Sequence, residues 1–252
     1  MWLPRIRGII DRRILVNYHV DPAVLAGLLP APFRPKLVHG FGMVGICLIR
    51  LKHLRPIGIP SWLGITTENA AHRVAVEWDD GDERSEGVYV RRRDTNSRFI
   101  ALAGGRIFPG YHSHARFRVN ETQKHYQVVV QSDDGITDLT VRGHCADQLP
   151  PSSIFNSLNE ASEFFQAGSV GYSATPNLAR FQGLELRCQS WRVDPLEIEE
   201  VKSSYFDDAS LFPKGSIEFD CALLMRGIEH EWYGKSDICC AQDATTPILS
   251  NS

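Results

Sequence analysis

The chain has 252 residues, 43% hydrophobic and 23% charged, with a net charge of −3. That composition supplies a real core for a single all-β or α+β domain, and its charge balance carries no nucleic-acid or polyanion footprint. The longest apolar run, residues 41–49, is too short to span a bilayer, and the basic N-terminus, interrupted by Pro4, Arg5, Arg7 and Gly8, has no signal-peptide core.

A soluble, cytoplasmic protein is therefore expected, with no membrane and no nucleic-acid partner. Cys47, Cys145, Cys188, Cys221, Cys239 and Cys240 show neither a Cys-x-x-Cys pair nor a disulfide framework. They read as packing residues in a reduced compartment.

In chain order, residues 14–20 read as a strand. Asp21 then caps a short helix opened by Pro22 and ended by Pro30. Residues 41–51 form a buried strand, and 52–64, with Pro56, Gly58, Pro60 and Gly64, a long connection. Further strands are predicted over 71–78, 87–92, 98–107, 114–119, 125–132 and 137–143, the last two joined by the turn Ser132 to Ile136. The run Arg91-Arg92-Arg93 reads as a solvated strand end. A helix over 154–167 has one apolar face, with Ser152 or Ser153 as cap and Gly168 as stop. Strands over 184–192, 196–202 and 218–226 follow. One domain, 1–240, precedes a polar tail, 241–252, that reads as disordered. The fold class is α+β, a mainly antiparallel sheet or barrel with a few helices, large enough to enclose a small-molecule cavity.

Candidate chemistry centres on GGRIFPGYHSHARF, residues 104–117. On a strand His112 and His114 would share a side and could grip one metal ion, but no metal signature surrounds them. Two histidines beside a turn is the plainer reading. Glu68, between the long connection and an apolar strand, could move a proton at a barrel mouth, or could be a solvated loop residue. Arg106, behind an apolar run and Gly104-Gly105, needs either an ion-pair partner or a bound anion. No nucleotide-binding loop is present.

The order RRILVNYHVDPAVLAGLLPAPFRP, ITTENAAHRVAV, EGVYV, FIALAGGRIFPGYHSHARF and SEFFQAGSVGYS resembles an uncharacterised bacterial family of unknown function related to acetoacetate decarboxylase, over roughly residues 8–230. The resemblance implies a β-barrel-like cone with a central cavity. It aligns Glu68 with the enzyme's Thr-Glu carboxylate, Arg106 with the arginine of its Gly-Arg motif, and Tyr111 with the tyrosine of its Tyr-Pro-Lys run. Arg12 or Arg13 falls near its N-terminal substrate-side arginine, a one-residue gap leaving the choice open. The Schiff-base lysine is missing, because His112-Ser113 stands where proline and lysine would be, and Ile107 replaces an acidic residue. The six lysines, Lys36, Lys52, Lys124, Lys202, Lys214 and Lys235, lie elsewhere in the sequence.

The resulting expectation is a cofactor-free cavity that binds a small polar or carboxylate-bearing molecule through Arg106, Arg12 or Arg13, Tyr111 and Ser113. The alternatives are a lysine-independent lyase, hydratase or isomerase using Glu68 and His112, and a metal site at His112 and His114. A homo-oligomer is compatible with all three.

Overall fold

The structure, a computed structural model, describes residues 5–103, 110–175 and 180–239. In chain order the elements are β1 (Ile6–Val20), α1 (Pro22–Leu28), β2 (Arg34–Pro35), β3 (Leu37–Val38), β4 (Phe41–Pro56), β5 (Ile65–Asp80), β6 (Glu83–Thr95), α2 (Arg98–Ala103), β7 (His112–Glu121), β8 (His125–Ser132), β9 (Asp138–Cys145), α3 (Leu158–Ala167), β10 (Val170–Ala174), β11 (Arg180–Cys188), β12 (Asp194–Ser203) and β13 (Ile217–Cys239). The strands form one mainly antiparallel sheet.

Its wall is β13, β1, β4, β5 and β6, paired in that order. The two outer strands of this wall are long and change partners along their length. β13 pairs β12 through residues 222–224 and β11 through 230–239. β6 pairs β10 through Val88–Val90 and β7 through Arg93–Thr95. The pairings therefore return on themselves by two routes, through β10 and β11 or through β7, β8, β9 and β12. The mainly antiparallel sheet thus forms a branched ring, because strands this long outrun any single neighbour.

Both faces of the wall are buried, which is why its strands read as continuous apolar runs. One face carries Ile14, Val16, Val44, Ile46, Leu48, Val74 and Val76, packed with Val128, Val130, Leu139 and Val141 from β8 and β9. The other carries Leu15, Cys47, Ile49, Leu51, Leu223 and Met225, packed against Phe155, Ala161 and Phe165 in and before α3. Register fixes which side chains share a face. Arg12, Arg50 and Glu68 are cross-strand neighbours on β1, β4 and β5; one residue on, Arg13, Ile49 and Asn69 are neighbours on the opposite face. A bulge at Arg91, where His72 pairs Arg92 but Arg73 pairs Val90, shifts the parity of β6.

Several sequence expectations are corrected. β1 begins at Ile6, β4 continues to Pro56 and β5 starts at Ile65, so the expected 52–64 connection is strand over 52–56 and shortens to 57–64, with a 3-10 turn at Ser61–Leu63. Glu68 accordingly lies inside β5. Residues 98–103, expected as a strand, form α2: Ser97 opens it by accepting from the Ile100 backbone N–H at 3.3 Å, and of its large apolar side chains only Ile100 is buried while Phe99 and Leu102 face outward. The cap of α3 is Ser157, not Ser152 or Ser153, and Glu160 reaches back to the Asn156 N–H as in a capping box. Ser153 instead bonds the buried Asp220. Asp21 does cap α1, accepting from Ala23. Arg106, Cys240 and the 241–252 tail lie outside the described residues.

Gly45 stands between Asn17 and Arg73 in register. A Cβ there would lie 2.4 Å from the Val16 carbonyl oxygen and 3.1 Å from Asn17 Oδ1. Gly45→Ala is expected to cost about 1–3 kcal/mol by overpacking, read from the midpoint of urea unfolding.

Candidate functional site

Two groups of arginines sit on the two faces of the same wall, and their surroundings differ in kind. On the first face Arg12, 1% exposed, donates to Glu68 at 2.6 Å and to Glu121 at 2.8 Å. Arg50 donates to the other Glu68 oxygen at 2.6 Å, to Glu121, and to Asp11 at 3.3 Å. Lys52 completes the network on Asp11 at 2.8 Å. Burial pushes the Glu121 carboxyl upward, but the bonds from Arg12 and Arg50 outweigh it and hold the group below the ordinary glutamate range. Cations and carboxylates are matched here.

On the second face a cavity of about 120 Å³ is lined by Arg13 from β1, Cys47 and Ile49 from β4, Asn69 and Arg73 from β5, Arg93 from β6, His112 from β7, Leu184 and Leu186 from β11, and Trp232 from β13. Arg13 Nε donates to Cys47 Sγ at 3.2 Å, and its guanidinium lies 5.7 Å from the Trp191 ring. Arg73 donates to Asn17 Oδ1 at 2.5 Å and lies 5.0 Å from the Phe165 ring, while its buried Nε has no hydrogen-bond partner among the described residues. Arg93 donates to Ser173 Oγ at 3.0 Å. Among the described residues no carboxylate lies within 4.0 Å of any of these three guanidiniums. Burial pulls both Arg73 and Arg93 down to about 10, which still leaves them charged at neutral pH.

His112 faces Arg93 across the β6–β7 pair. Its Nδ1 lies 3.3 Å from the Gly110 carbonyl oxygen, an acceptor for a protonated Nδ1. Burial, then the charge of Arg93, pushes the imidazole down to about 3, so it is neutral at physiological pH. Asp94, also at the cavity, is bonded by Arg92 at 2.8 Å and by Thr137 at 3.0 Å. Burial raises its carboxyl despite those bonds.

The family model for DUF2071, an uncharacterized conserved protein, matches residues 10–227. The chain belongs to that family. No curated protein matches it. Solved structures share the fold of this DUF2071 protein. The acetoacetate decarboxylase of Legionella pneumophila subsp. pneumophila aligns with TM-score 0.59 at 14% identity, over 94% of this chain and 88% of that one. An acetoacetate decarboxylase-like enzyme from Sphingomonas wittichii RW1 gives 0.56 at 11%, over 94% and 92%. The enduracididine biosynthesis enzyme MppR, complexed with pyruvate, gives 0.53 at 9%, over 95% and 91%. The acetoacetate-decarboxylase-like fold implied by the sequence resemblance is thus the fold of the DUF2071 chain.

The structure divides the sequence candidates. Arg13, not Arg12, lines the cavity, and so does His112. Glu68 belongs with Arg12 to the ion-pair network and is not among the cavity-lining residues. Tyr111, 67% exposed, and Ser113 line an outer cleft with Arg91, Arg92 and Asp134, because alternation along the strand turns them away from His112. His114 bonds Asp133 at 2.7 Å, and among the described residues no group of three His, Cys, Asp or Glu side chains could hold a metal ion. None of the six lysines lines the cavity.

Sequence reasoning missed Arg73 and Arg93. The signal for Arg73 was an arginine inside the apolar run AHRVAVEW; Arg93 was hidden in a run read as solvent-facing, and only the Arg91 bulge sends it inward.

The two arginine groups are expected to respond oppositely to neutralisation. Glu68→Gln, which strips a carboxylate from Arg12 and Arg50, should destabilise the chain by about 3–5 kcal/mol. Arg73→Met should stabilise ligand-free protein by about 1–2 kcal/mol by removing an uncompensated buried charge. Both follow from urea denaturation.

Acid stability offers a second check. Burial holds His72 and His112 at about 3 and His230 at about 4, whereas unfolded histidine titrates near 6.5. Between those values the unfolded chain binds more protons, so stability is full above about pH 6.5 and falls on acidification by up to about 1.4 kcal/mol per pH unit for each histidine. Denaturation between pH 7 and 4.5 should show this slope, and His72→Phe should remove one histidine's share.

Proposed function

We propose that this protein binds a small carboxylate-bearing molecule in the cavity between Arg13, Arg73 and Arg93. The observation that carries the reading is the set of three guanidiniums facing one small space, none of them ion-paired to a carboxylate among the described residues; the carboxylate of Asp94, which borders the same space, is bonded by Arg92. A buried charge left without a counter-ion costs several kcal/mol, and a bound anion removes that cost. The volume of about 120 Å³ is well below the ~300–1,000 Å³ of sites for drug-sized molecules, so the ligand has only a handful of heavy atoms. A protein of the same fold, MppR, has been solved with pyruvate, a ligand of that size and charge. Arginine suits the task, because its planar fork meets a carboxylate through two parallel hydrogen bonds.

Imine chemistry is no part of this reading. The cavity lining includes no lysine, and Lys36, Lys52, Lys202 and Lys235 are each engaged with a carboxylate. A second reading, a lysine-independent lyase, hydratase or isomerase acting on a small keto acid, is favoured by His112. Its imidazole, neutral at physiological pH, borders the same space as the three arginines. In that reading His112 is the proton-handling group, and Glu68 acts only by fixing Arg12 and Arg50.

The test is a thermal-shift titration with pyruvate, acetoacetate, propionate and butyrate at constant ionic strength, using chloride as the control anion. A bound carboxylate at 100 times its Kd should add about 2.7 kcal/mol of stability, and Arg93→Gln should abolish the shift. Borohydride treatment with pyruvate or acetoacetate should leave the protein's mass unchanged. Carboxylates no better than chloride would overturn the binding reading, and a reduced lysine adduct would overturn the exclusion of imine chemistry.

A further inference from the structure

We infer that the ligand carries two negative charges held apart, as in a three- or four-carbon dicarboxylate. The inference rests on the small-carboxylate reading above and adds the number and placement of the anionic groups.

Charge supplies the first step. Arg13, Arg73 and Arg93 are the cations at the cavity, His112 is neutral there, and the carboxylate of Asp94 is already matched by Arg92. Three positive charges remain, so one carboxylate would leave two of them facing low-dielectric surroundings. A ligand with two carboxylates leaves one.

Placement supplies the second step. Arg13 is level with Asn69 in the sheet, while Arg73 is four residues farther along β5, a separation of roughly 13–14 Å along the strands. Arg93 is level with Ala71, midway between those rows. The surface between the two ends is made by the small side chains of Cys47 and Ala71, cross-strand neighbours in the same middle row. Arg13 is held toward that middle by its bond to Cys47 Sγ, and Arg73 is held at its own end by Asn17. A floor of small residues with a cation at either end matches a short chain with a carboxylate at either end. A compact dianion such as phosphate would place all of its charge at one point and leave the far arginine unmatched.

Calorimetric titration of the full-length chain at pH 7.5 and fixed ionic strength tests this with malonate and succinate, the chain-matched monocarboxylates propionate and butyrate, and inorganic phosphate. A dicarboxylate is expected to bind at least ten-fold more tightly than its monocarboxylate counterpart. Arg13→Gln should bring that ratio close to one, with a circular dichroism spectrum and urea midpoint close to those of the parent chain showing that the variant is folded. Arg13→Lys should keep part of the preference. Equal affinities for dicarboxylates and monocarboxylates would overturn this inference and leave the small-carboxylate reading standing. Phosphate binding more tightly than any dicarboxylate would overturn the separated-charge placement. Binding by none of the five anions would sink both readings.

Discussion

The structure turns on where one sheet wall places its buried arginines and what it gives them. An arginine removed from water must be met by carboxylates, by neutral acceptors and rings, or by something brought from outside. This wall does the first on one face and the second on the other. Arg12 and Arg50 meet Glu68, Glu121 and Asp11 in a closed set of charge-assisted hydrogen bonds. Arg13, Arg73 and Arg93 meet a thiol, an amide oxygen, a hydroxyl and two aromatic faces, none of which carries a full negative charge. The first set behaves as part of the framework. The second has no ion-pair partner among the described residues.

The ring topology makes that division feasible. Because β13 and β6 each exchange partners along their length, the wall between them is enclosed on both faces and neither set of arginines opens broadly to solvent. Low local dielectric strengthens every electrostatic contact made on the cavity face and keeps His112 neutral beside Arg93. Solved structures at 9–14% identity share the fold. The ring and its packing layers are set by alternation and strand length, whereas the chemistry depends on a few side chains pointing inward.

Much of the fold was legible in the residues themselves. The long apolar runs, the Asp21-Pro22 helix start and the turn at Asp133 to Gly135 all identify their elements by local rules. Failures came where a local rule met a tertiary one. FIALA is as apolar as a core strand, yet it is a helix whose Phe99 and Leu102 face outward. Ser152 and Ser153 looked like caps for α3, but Asp220, distant in sequence, claims Ser153, and the true box at Ser157 and Glu160 starts the helix later.

By itself the sequence determined the mainly antiparallel sheet and the His112-Ser113 pair, with no lysine, after Tyr111, because each is a matter of residue type and order. It also narrowed the N-terminal cation to Arg12 or Arg13. Only the tertiary structure decided between them. Adjacent strand residues point to opposite faces, so a one-residue choice is a choice between an ion-pair network and a cavity. The other two cavity arginines were undecidable for the same reason. Whether Arg73 and Arg93 share a face with Arg13 depends on the cross-strand register and on one bulged residue at Arg91, which pairing across the sheet fixes and local sequence does not.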